Sequence, residues 1–454
     1  MHKNIRFLEK WSSVQIITAG FLFIILLGAA ILSLPISSQS GQGTNFVDSL
    51  FTATSAVCVT GLVVFDTATH WSLFGKVVII SLIQIGGLGF MTIATMISLI
   101  RGKKINLKER LLIQESLNQI DLSGIVSLTR KIILMVLAIE CIGGILLSIS
   151  FIPKFGIITG LAYGFFHSIS AFCNAGFDLM GSISGEFSSL TSFYDNSFIM
   201  ITVSLLIILG GLGYPVILDV LKNKRFSKLN VHSKLVIVST AILLLIGFVF
   251  ILGVEYNNPD TLGNMNMKGK VLSSIFQTST LRTAGFATVD MASLHQATKF
   301  FMSIIMFIGG SPAGTAGGVK TVTFVIGLLY VRALMRGDEN IHVFKRTIDD
   351  QIVKRALTIM LISFAIALTG LFILSISEQA DFIDLLFEVF SAFATVGLTA
   401  GITPTLTFVG KIVIIILMYI GRIGPITMVL IFVRKYNAKK GKDVNYIKEH
   451  ILIG

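Results

Sequence analysis

One short stretch occurs four times in the chain, and each copy ends in a glycine. The copies read SAVCVTG, SAFCNAG, STLRTAG and SAFATVG, and they end at Gly61, Gly176, Gly285 and Gly397. Successive glycines lie 115, 109 and 112 residues apart, and a phenylalanine precedes each copy. A regular internal repeat predicts similar units that depend on one another. We therefore expect four units, at residues 1–110, 111–229, 230–345 and 346–435, and then a tail at 436–454.

The repeat is embedded in a chain that is too apolar for a water-soluble protein. Of 454 residues, 54% are hydrophobic and 13% are charged, whereas a soluble domain carries about 25% charged residues. Every unit holds a long apolar segment, a shorter segment that ends near the glycine, and a second long apolar segment. About 20 apolar residues cross a bilayer as a helix, and the shorter segments are re-entrant candidates. The sequence predicts an all-α integral membrane protein with four pseudo-symmetric helix, re-entrant pore helix, helix repeats around a single central pore.

The segment boundaries follow from the apolar runs. The predicted triplets are 16–34, 46–59 and 76–100; 132–152, 161–173 and 198–221; 235–252, 271–281 and 300–331; and 356–376, 382–394 and 408–432. The second long segment of every unit contains a glycine cluster, which predicts a bend.

Charge predicts the orientation. Basic residues follow the second long segment of every unit, while most acids flank the short segments. By the positive-inside rule the basic stretches, both termini and the tail at 436–454 face the cytoplasm. The net charge of +12 is then a topology signal, so we expect membrane lipid around the chain and no nucleic-acid partner.

The short segments and their glycines have a specific physical use. Non-helical backbone at membrane depth is tolerated only where it is buried in protein or lines a water-filled cavity. Glycine adopts backbone angles that turn carbonyl groups toward an axis, and a ring of carbonyls replaces the hydration shell of a cation. The predicted filter consists of Val59, Thr60, Gly61, Asn174, Ala175, Gly176, Thr283, Ala284, Gly285, Thr395, Val396 and Gly397. The alternative is that these glycines only let helices pack closely.

The strings TATSAVCVTGL, FCNAGFD, LRTAGF and FATVGL resemble the Trk/Ktr/HKT superfamily of potassium-translocating proteins, most closely the KtrB membrane subunits of bacterial Ktr systems. The resemblance covers nearly the whole chain. It implies K+ uptake across the bacterial cytoplasmic membrane by a multi-pass homodimer. It also implies a cytosolic nucleotide-binding regulatory ring of the RCK/KTN type (KtrA-like). In some members it implies Na+ as an activator, which we place on no residue.

The third unit contains the most irregular stretch of the chain, GGSPAGTAGGVKT at residues 309–321. So many glycines and a proline cannot stay helical, and a loop in mid-membrane must line the cavity. The resemblance places an intramembrane gate here, formed by Gly309, Gly310, Ser311, Pro312, Ala313, Gly314, Thr315, Ala316, Gly317 and Gly318. A nucleotide-binding P-loop is the rival interpretation, but it requires glycine directly before the lysine, and Val319 stands there. We expect this chain itself to bind no nucleotide.

Two arginines and two aspartates can each be interpreted as either structural or functional residues. Arg422 lies in an apolar segment, which is costly unless it faces water or a partner. It is either a structural arginine paired with backbone carbonyls or, as the resemblance implies, a positive barrier beside the gate. Arg282 lies in the third copy of the repeat, and we expect it to brace its loop rather than touch the ion. Asp66 and Asp178 are either solvated carboxylates or attract cations to an outer mouth.

Other functions have less support in the sequence. The cysteines and histidines match no metal-ligand spacing, so we expect no metal site beyond that for K+. No arrangement of catalytic side chains converges at one depth, so an enzyme is not expected. The main alternative to a channel-like protein is a secondary K+/Na+ symporter with alternating access, whose usual signature is two inverted halves.

Overall fold

The computed structural model describes residues 11–101, 105–116 and 123–425. The predicted tail at 436–454 and the end of the last apolar segment, 426–432, lie outside the described residues. In the part that is described, almost all regular structure is helical. This confirms the predicted fold class.

The first two units have the expected order of helices. The first contains α1 (Ser13–Leu32), α2 (Phe46–Cys58), α3 (Thr67–His70), α4 (Leu73–Leu88) and α5 (Phe90–Ile100), and α6 (Leu107–Ser116) follows it. The second contains α7 (Ile125–Phe155), α8 (Ile157–Phe172), α9 (Gly181–Ser184), α10 (Ser197–Leu212) and α11 (Tyr214–Asn223). The short helix α9 and a 3-10 turn at Thr191–Phe193 account for the longer connection of the second unit.

The third and fourth units repeat the pattern. The third contains α12 (Val231–Glu255), α13 (Met267–Thr280), α14 (Gln296–Ile308) and α15 (Thr321–Arg336). A small antiparallel hairpin, β1 (His342–Val343) and β2 (Arg346–Thr347), precedes the fourth unit. The fourth contains α16 (Asp350–Ser377), α17 (Phe382–Phe393) and α18 (Phe408–Ile423). Further 3-10 turns lie at Pro35–Ser37, Phe226–Lys228 and Thr403–Thr405.

The first helix of each unit faces outward. Helices α1, α7, α12 and α16 are each long and apolar enough to cross a membrane. They present large apolar side chains at their surfaces; Phe23 is 67% exposed and Leu361 is 72% exposed. Such side chains would be unfavourable in water and are favourable against lipid. These four helices therefore form a large part of the lipid-facing shell.

The short helices α2, α8, α13 and α17 lie inside that shell. The phenylalanines that precede the repeated stretch, Phe51, Phe166, Phe276 and Phe387, are all buried. Asparagine side chains cap two of these helices: Asn45 accepts a hydrogen bond from the Val47 amide, and Asn266 accepts one from the Gly269 amide. Helices of 12 to 16 residues that are enclosed by protein fit the predicted re-entrant pore helices.

The glycine clusters bend or interrupt the second long segment of each unit, as predicted. Helices α4 and α5 meet at Gly89 at an angle of 94°, and α10 and α11 meet at Gly213 at 99°. In the third unit the chain is non-helical between Ile308 and Thr321, and in the fourth α18 ends at Gly424.

Two ion pairs link neighbouring units at equivalent positions. Lys299 at the start of α14 lies 2.7 Å from Asp384 in α17, and Lys411 at the start of α18 lies 2.7 Å from Asp48 in α2. Each lysine belongs to one unit and each aspartate to the pore helix of the next. Because all four side chains are largely shielded from solvent, removing one partner would leave an uncompensated buried charge.

Candidate ion-conduction site

Each pore helix ends in a loop whose amide groups turn back toward the helix. The amides of Thr60, Ala175 and Val396 donate to the carbonyls of Ser55, Ser170 and Ser391, at 2.8, 2.7 and 2.8 Å. The Ser55 and Ser391 hydroxyls also accept from the amides of Gly61 and Gly397. In these three copies the serine that begins the repeated stretch thus accepts hydrogen bonds from the loop, and the loop amides satisfy carbonyls at the helix end.

The four loops share an unusual backbone conformation. The glycines have positive φ values, 98° at Gly61, 70° at Gly176, 81° at Gly285 and 93° at Gly397. The residue two positions earlier also has a positive φ: 58° at Val59, 58° at Asn174, 69° at Thr283 and 52° at Thr395. Three of these four are β-branched, for which this region is a genuine outlier. Such strain persists only when the surroundings impose it, and it clusters at functional sites.

The four glycines form a closed ring. A Cβ placed on Gly61 would lie 2.6 Å from the Ala175 carbonyl oxygen, and one on Gly176 would lie 2.6 Å from that of Ala284. A Cβ on Gly285 would lie 2.7 Å from the Val396 oxygen, and one on Gly397 would collide with the Thr60 oxygen. Every glycine therefore faces the residue before the next glycine, in the order of the four units. The twelve residues of the predicted filter are brought together.

The carbonyl groups of this ring are available for a ligand. None of the described residues donates a hydrogen bond to the carbonyl oxygens of the twelve residues. Eleven of the twelve residues are buried, and Gly285 is half-buried. A buried carbonyl without a partner is unfavourable unless water or an ion satisfies it. The four pore helices end within a few residues of the ring, so the negative ends of their dipoles favour a cation there.

The irregular stretch of the third unit packs against the bend of the second. Its Ser311 and Thr315 amides donate to the carbonyls of Gly211 and Gly210, at 3.0 and 3.3 Å, and the Tyr214 amide donates to Ala313 at 2.9 Å. These carbonyls and this amide are free of helical partners because α10 ends and α11 begins here. Residues 309–320, which we call the gate loop, thus pack against the bend at Gly213. We call the surface of this bend that binds the loop, at Gly210, Gly211 and Tyr214, the seat of the gate loop.

The gate loop also contacts the ring. The Thr315 hydroxyl lies 3.0 Å from the side-chain oxygen of Asn174. A Cβ on Gly317 would lie 2.7 Å from the Ala394 carbonyl oxygen and would collide with the Thr395 hydroxyl. Ser311, Thr315 and Ala316 are at most 1% exposed. Eight of the twelve residues of the loop are buried, and the loop is in direct contact with two of the four filter loops.

Arg422 forms hydrogen bonds that connect the gate loop to α4. Its guanidinium donates hydrogen bonds to the carbonyls of Thr315 in the gate loop and of Gly86 in α4. The side chain therefore pairs with backbone carbonyls, as the structural reading expects, and one of these belongs to the gate loop. Lys320, at the end of the same loop, donates to the Ala316 carbonyl. From the sequence, Lys320 was considered only as the lysine of the rejected P-loop interpretation.

Arg282 has a different environment. It is 3% exposed, and its guanidinium has no hydrogen-bond partner among the described residues. Its backbone carbonyl accepts from the side-chain nitrogen of Asn174 at 2.9 Å. The backbone of Arg282, rather than its charge, makes the hydrogen bond to a neighbouring filter loop.

The two aspartates of the predicted outer mouth differ in their partners. Asp66 caps α3 by accepting from the Ala68 and Thr69 amides, at 2.9 and 3.0 Å, and it accepts from the Phe187 amide at 3.0 Å. Asp178 accepts from the Met180 amide at 2.9 Å. Burial raises the pKa of the Asp178 carboxyl to about 7, opposed by the Met180 hydrogen bond and assisted by the charge of Asp66. Both carboxyl groups are engaged with backbone amides of the loops in which they lie or that pack against them.

Comparison with known proteins identifies the family. Residues 11–442 match the sequence profile of the TrkH family, described as cation transport proteins. The chain belongs to the TrkH family. It is 44% identical to the Ktr system potassium uptake protein B of Bacillus subtilis, over 94% of both chains. It is 42% identical to the potassium/sodium uptake protein NtpJ of Enterococcus hirae, over 100% of this chain and 99% of that protein.

A solved structure supports the fold. The crystal structure of the potassium transporter TrkH from Vibrio parahaemolyticus matches with a TM-score of 0.70 and 17% identity, over 94% of this chain and 86% of that one. The TrkH family consists of cation transport proteins, and the match to the solved structure shows that the chain has the fold of one of them.

Some features of the site were not found from the sequence. The positive φ two positions before each glycine had no signal in residue type, because valine, asparagine and threonine occupy that position. The seat of the gate loop at Gly210, Gly211 and Tyr214 had only the glycine cluster as a signal. The contact between Thr315 and Asn174 joins residues 141 positions apart, and no local pattern indicates it.

Proposed function

We propose that this chain takes up K+ across the bacterial cytoplasmic membrane through a regulated pore whose filter is the ring of carbonyls. The observation that carries the proposal is the closed ring of four glycines with unpaired carbonyls. The names of the relatives support K+ as the transported ion. A ring of carbonyl dipoles offers a dehydrated cation the oxygens that water supplied in solution.

The ring consists of one glycine from each loop and the two residues before it. Few fixed carbonyl layers hold few ions, so we expect modest discrimination of K+ from Na+. The relative NtpJ is named as a potassium/sodium uptake protein, in agreement with this expectation. Na+ as an activator remains part of the proposal, with no residue assigned to it.

In this proposal Gly309 through Gly318 of the gate loop close the path below the filter, and Arg422 holds the loop closed. Most of the loop is buried, and it contacts two filter loops and, through Arg422, α4. A guanidinium beside the path adds a repulsive charge for a cation. Opening requires the loop to leave its seat at the bend between α10 and α11.

The orientation and assembly follow from charge and from the family resemblance. Both termini and the basic stretches face the cytoplasm. There they offer a surface to a cytosolic nucleotide-binding ring of the KtrA type, and the membrane subunit works as a homodimer. Nucleotide acts through that partner and does not bind this chain.

Uptake by the purified protein tests the proposal. Liposomes are loaded with high K+, and the entry of radioactive Rb+ is measured while Na+ is set separately on each side. We expect uptake that follows the electrochemical gradient of K+ and persists without a Na+ gradient. Uptake that collapses when only the Na+ gradient is removed would contradict a channel-like pore and favour the symporter alternative.

A further inference from the structure

The side chain of Asn174 connects the filter to the gate loop. Its oxygen lies 3.0 Å from the Thr315 hydroxyl, and its nitrogen lies 2.9 Å from the Arg282 carbonyl oxygen. Asn174 is in the filter loop of the second unit, Arg282 in that of the third, and Thr315 in the gate loop. All three are buried.

The chemistry of the partners determines how the amide group points. A backbone carbonyl only accepts, so the amide nitrogen must face Arg282. The oxygen then faces Thr315, whose hydroxyl must donate. The other acceptor near that hydroxyl, the Phe172 carbonyl at 3.3 Å, also belongs to the second unit, at the end of its pore helix. Either acceptor therefore links Thr315 to the same filter loop.

Asn174 occupies the position that shapes its filter loop. It lies two residues before Gly176 and has a φ of 58°. A change in its side-chain contacts is transmitted directly to the carbonyls of Asn174 and Ala175, because the backbone at this position sets their direction. A buried amide with both ends bonded holds a single rotamer.

The other three filter loops lack this connection. Val59 has no polar side chain, and the hydroxyls of Thr283 and Thr395 have no hydrogen-bond partner among the described residues. Gly317 touches Thr395 only through packing. Across the described part of the chain, Asn174 is thus the filter residue whose side chain is hydrogen-bonded to the gate loop.

Thr315 itself is held at three points. Its amide donates to Gly210, its carbonyl accepts from Arg422, and its hydroxyl reaches Asn174. The first two contacts use the backbone and survive a change of side chain. The third can therefore be removed separately, without unseating the loop.

We propose that Asn174 is a positioning residue that couples the gate loop to the filter, so that the preference for K+ over Na+ depends on whether Thr315 is seated. When the loop leaves its seat, Asn174 loses its partner and the second filter loop relaxes. This inference rests on the proposed function, since it assumes that the carbonyl ring is the filter.

Thr315→Val tests the coupling, because valine keeps the shape and both backbone contacts of threonine but lacks the hydroxyl. The measurement is the concentration of Na+ that halves Rb+ uptake into liposomes, relative to that of K+. We expect discrimination against Na+ to fall by up to about tenfold, equivalent to about 1.4 kcal/mol. Thr315→Ser, which retains the hydroxyl, should keep the discrimination of the parent protein.

A double-variant cycle separates coupling from a general structural effect. Asn174→Gly removes the amide and tolerates the positive φ. If the Thr315 hydroxyl acts through the Asn174 amide, adding Thr315→Val to the Asn174→Gly variant should cause little further loss of discrimination against Na+. Independent effects that simply add in the double variant would overturn the proposal. Should Thr315→Val not fold, Thr315→Ala takes its place in the same cycle.

The remaining outcomes distinguish this inference from the proposed function. A Thr315→Val variant with altered maximal uptake but unchanged discrimination would show that the hydroxyl serves gating or folding only, and the coupling would be wrong. If Gly397→Ser shifts discrimination and Thr315→Val does not, the filter stands and the coupling fails. If neither variant shifts discrimination, both the filter and the coupling are wrong.

Discussion

At the scale of single residues, the ring glycines are constrained by their neighbours as well as by their own backbone. A side chain costs roughly 1–2 kcal/mol in the left-handed region, and this applies to any glycine with a positive φ. At Gly397 a side chain would also meet the carbonyl of Thr60, which belongs to the ring itself. The two effects can be separated by comparing glycines with the same φ.

We predict that Gly397→Ser lowers the preference for K+ over Na+ by on the order of tenfold, or about 1.4 kcal/mol, because the new Cβ displaces the Thr60 carbonyl. The matched control is Gly401→Ser. Gly401 has a φ of 92°, close to the 93° of Gly397, but the nearest atom to its Cβ would be that of Ala292 at 3.9 Å. Competition between Na+ and Rb+ in the liposome assay measures the ion preference of both variants. Retained preference in a well-folded Gly397→Ser protein would remove this glycine from the filter.

At the scale of secondary-structure elements, two helices bend sharply at equivalent glycines, but the bends have different neighbours. A Cβ on Gly213, between α10 and α11, would lie 2.5 Å from the Pro312 carbonyl oxygen in the gate loop. A Cβ on Gly89, between α4 and α5, would meet nothing within 4 Å. The bend at Gly213 therefore packs against the gate loop, whereas the bend at Gly89 has open space beside its glycine.

We predict that Gly213→Ala raises Rb+ uptake in the absence of any partner protein severalfold, because the added methyl group displaces the gate loop. Gly89→Ala is the control, since its φ of 78° resembles the 90° of Gly213 and imposes similar backbone strain. It should lower thermal stability without raising uptake. Equal uptake by the two variants would argue that the loop at 309–320 does not close the path.

At the scale of the whole molecule, side chains from one unit stabilise the next, and Arg422 spans the most units. It extends from α18 of the fourth unit to the gate loop of the third and to α4 of the first. The ion pairs Lys299–Asp384 and Lys411–Asp48 join the third unit to the fourth and the fourth to the first. The gate loop is thus held by contacts that exist only when all four units are assembled.

We predict that Arg422→Gln raises uptake and lowers the thermal unfolding temperature, since hydrogen bonds from a charged donor stabilise by roughly 1.5–3 kcal/mol each. Lys411→Met is the control in the same helix. It also removes a cation with a buried partner, but it lies at the ion pair with Asp48, away from the gate loop. It should destabilise the protein and leave discrimination and basal uptake unchanged. Unchanged uptake by a less stable Arg422→Gln protein would support a purely structural arginine.

The sequence predicted much of the architecture because each predictive pattern is local. Apolar runs indicate helices in lipid, a segment too short to cross the bilayer and followed by a glycine indicates a pore helix, and the glycine clusters indicate breaks, which the structure places at Gly89, Gly213 and residues 309–320. The repeated stretch also indicated which twelve residues would come together. These properties depend on solvent, helix length and backbone freedom within a few residues.

By itself, then, the sequence determined a membrane-spanning chain of four similar units with an interrupted helix in the third. Only the tertiary structure decided that each ring glycine faces the residue before the next one, that the gate loop sits at the bend of the second unit, and that Asn174 meets Thr315. The physical reason is that local patterns report what surrounds a segment and how its backbone folds. Which distant groups become partners depends on the close packing of all four units.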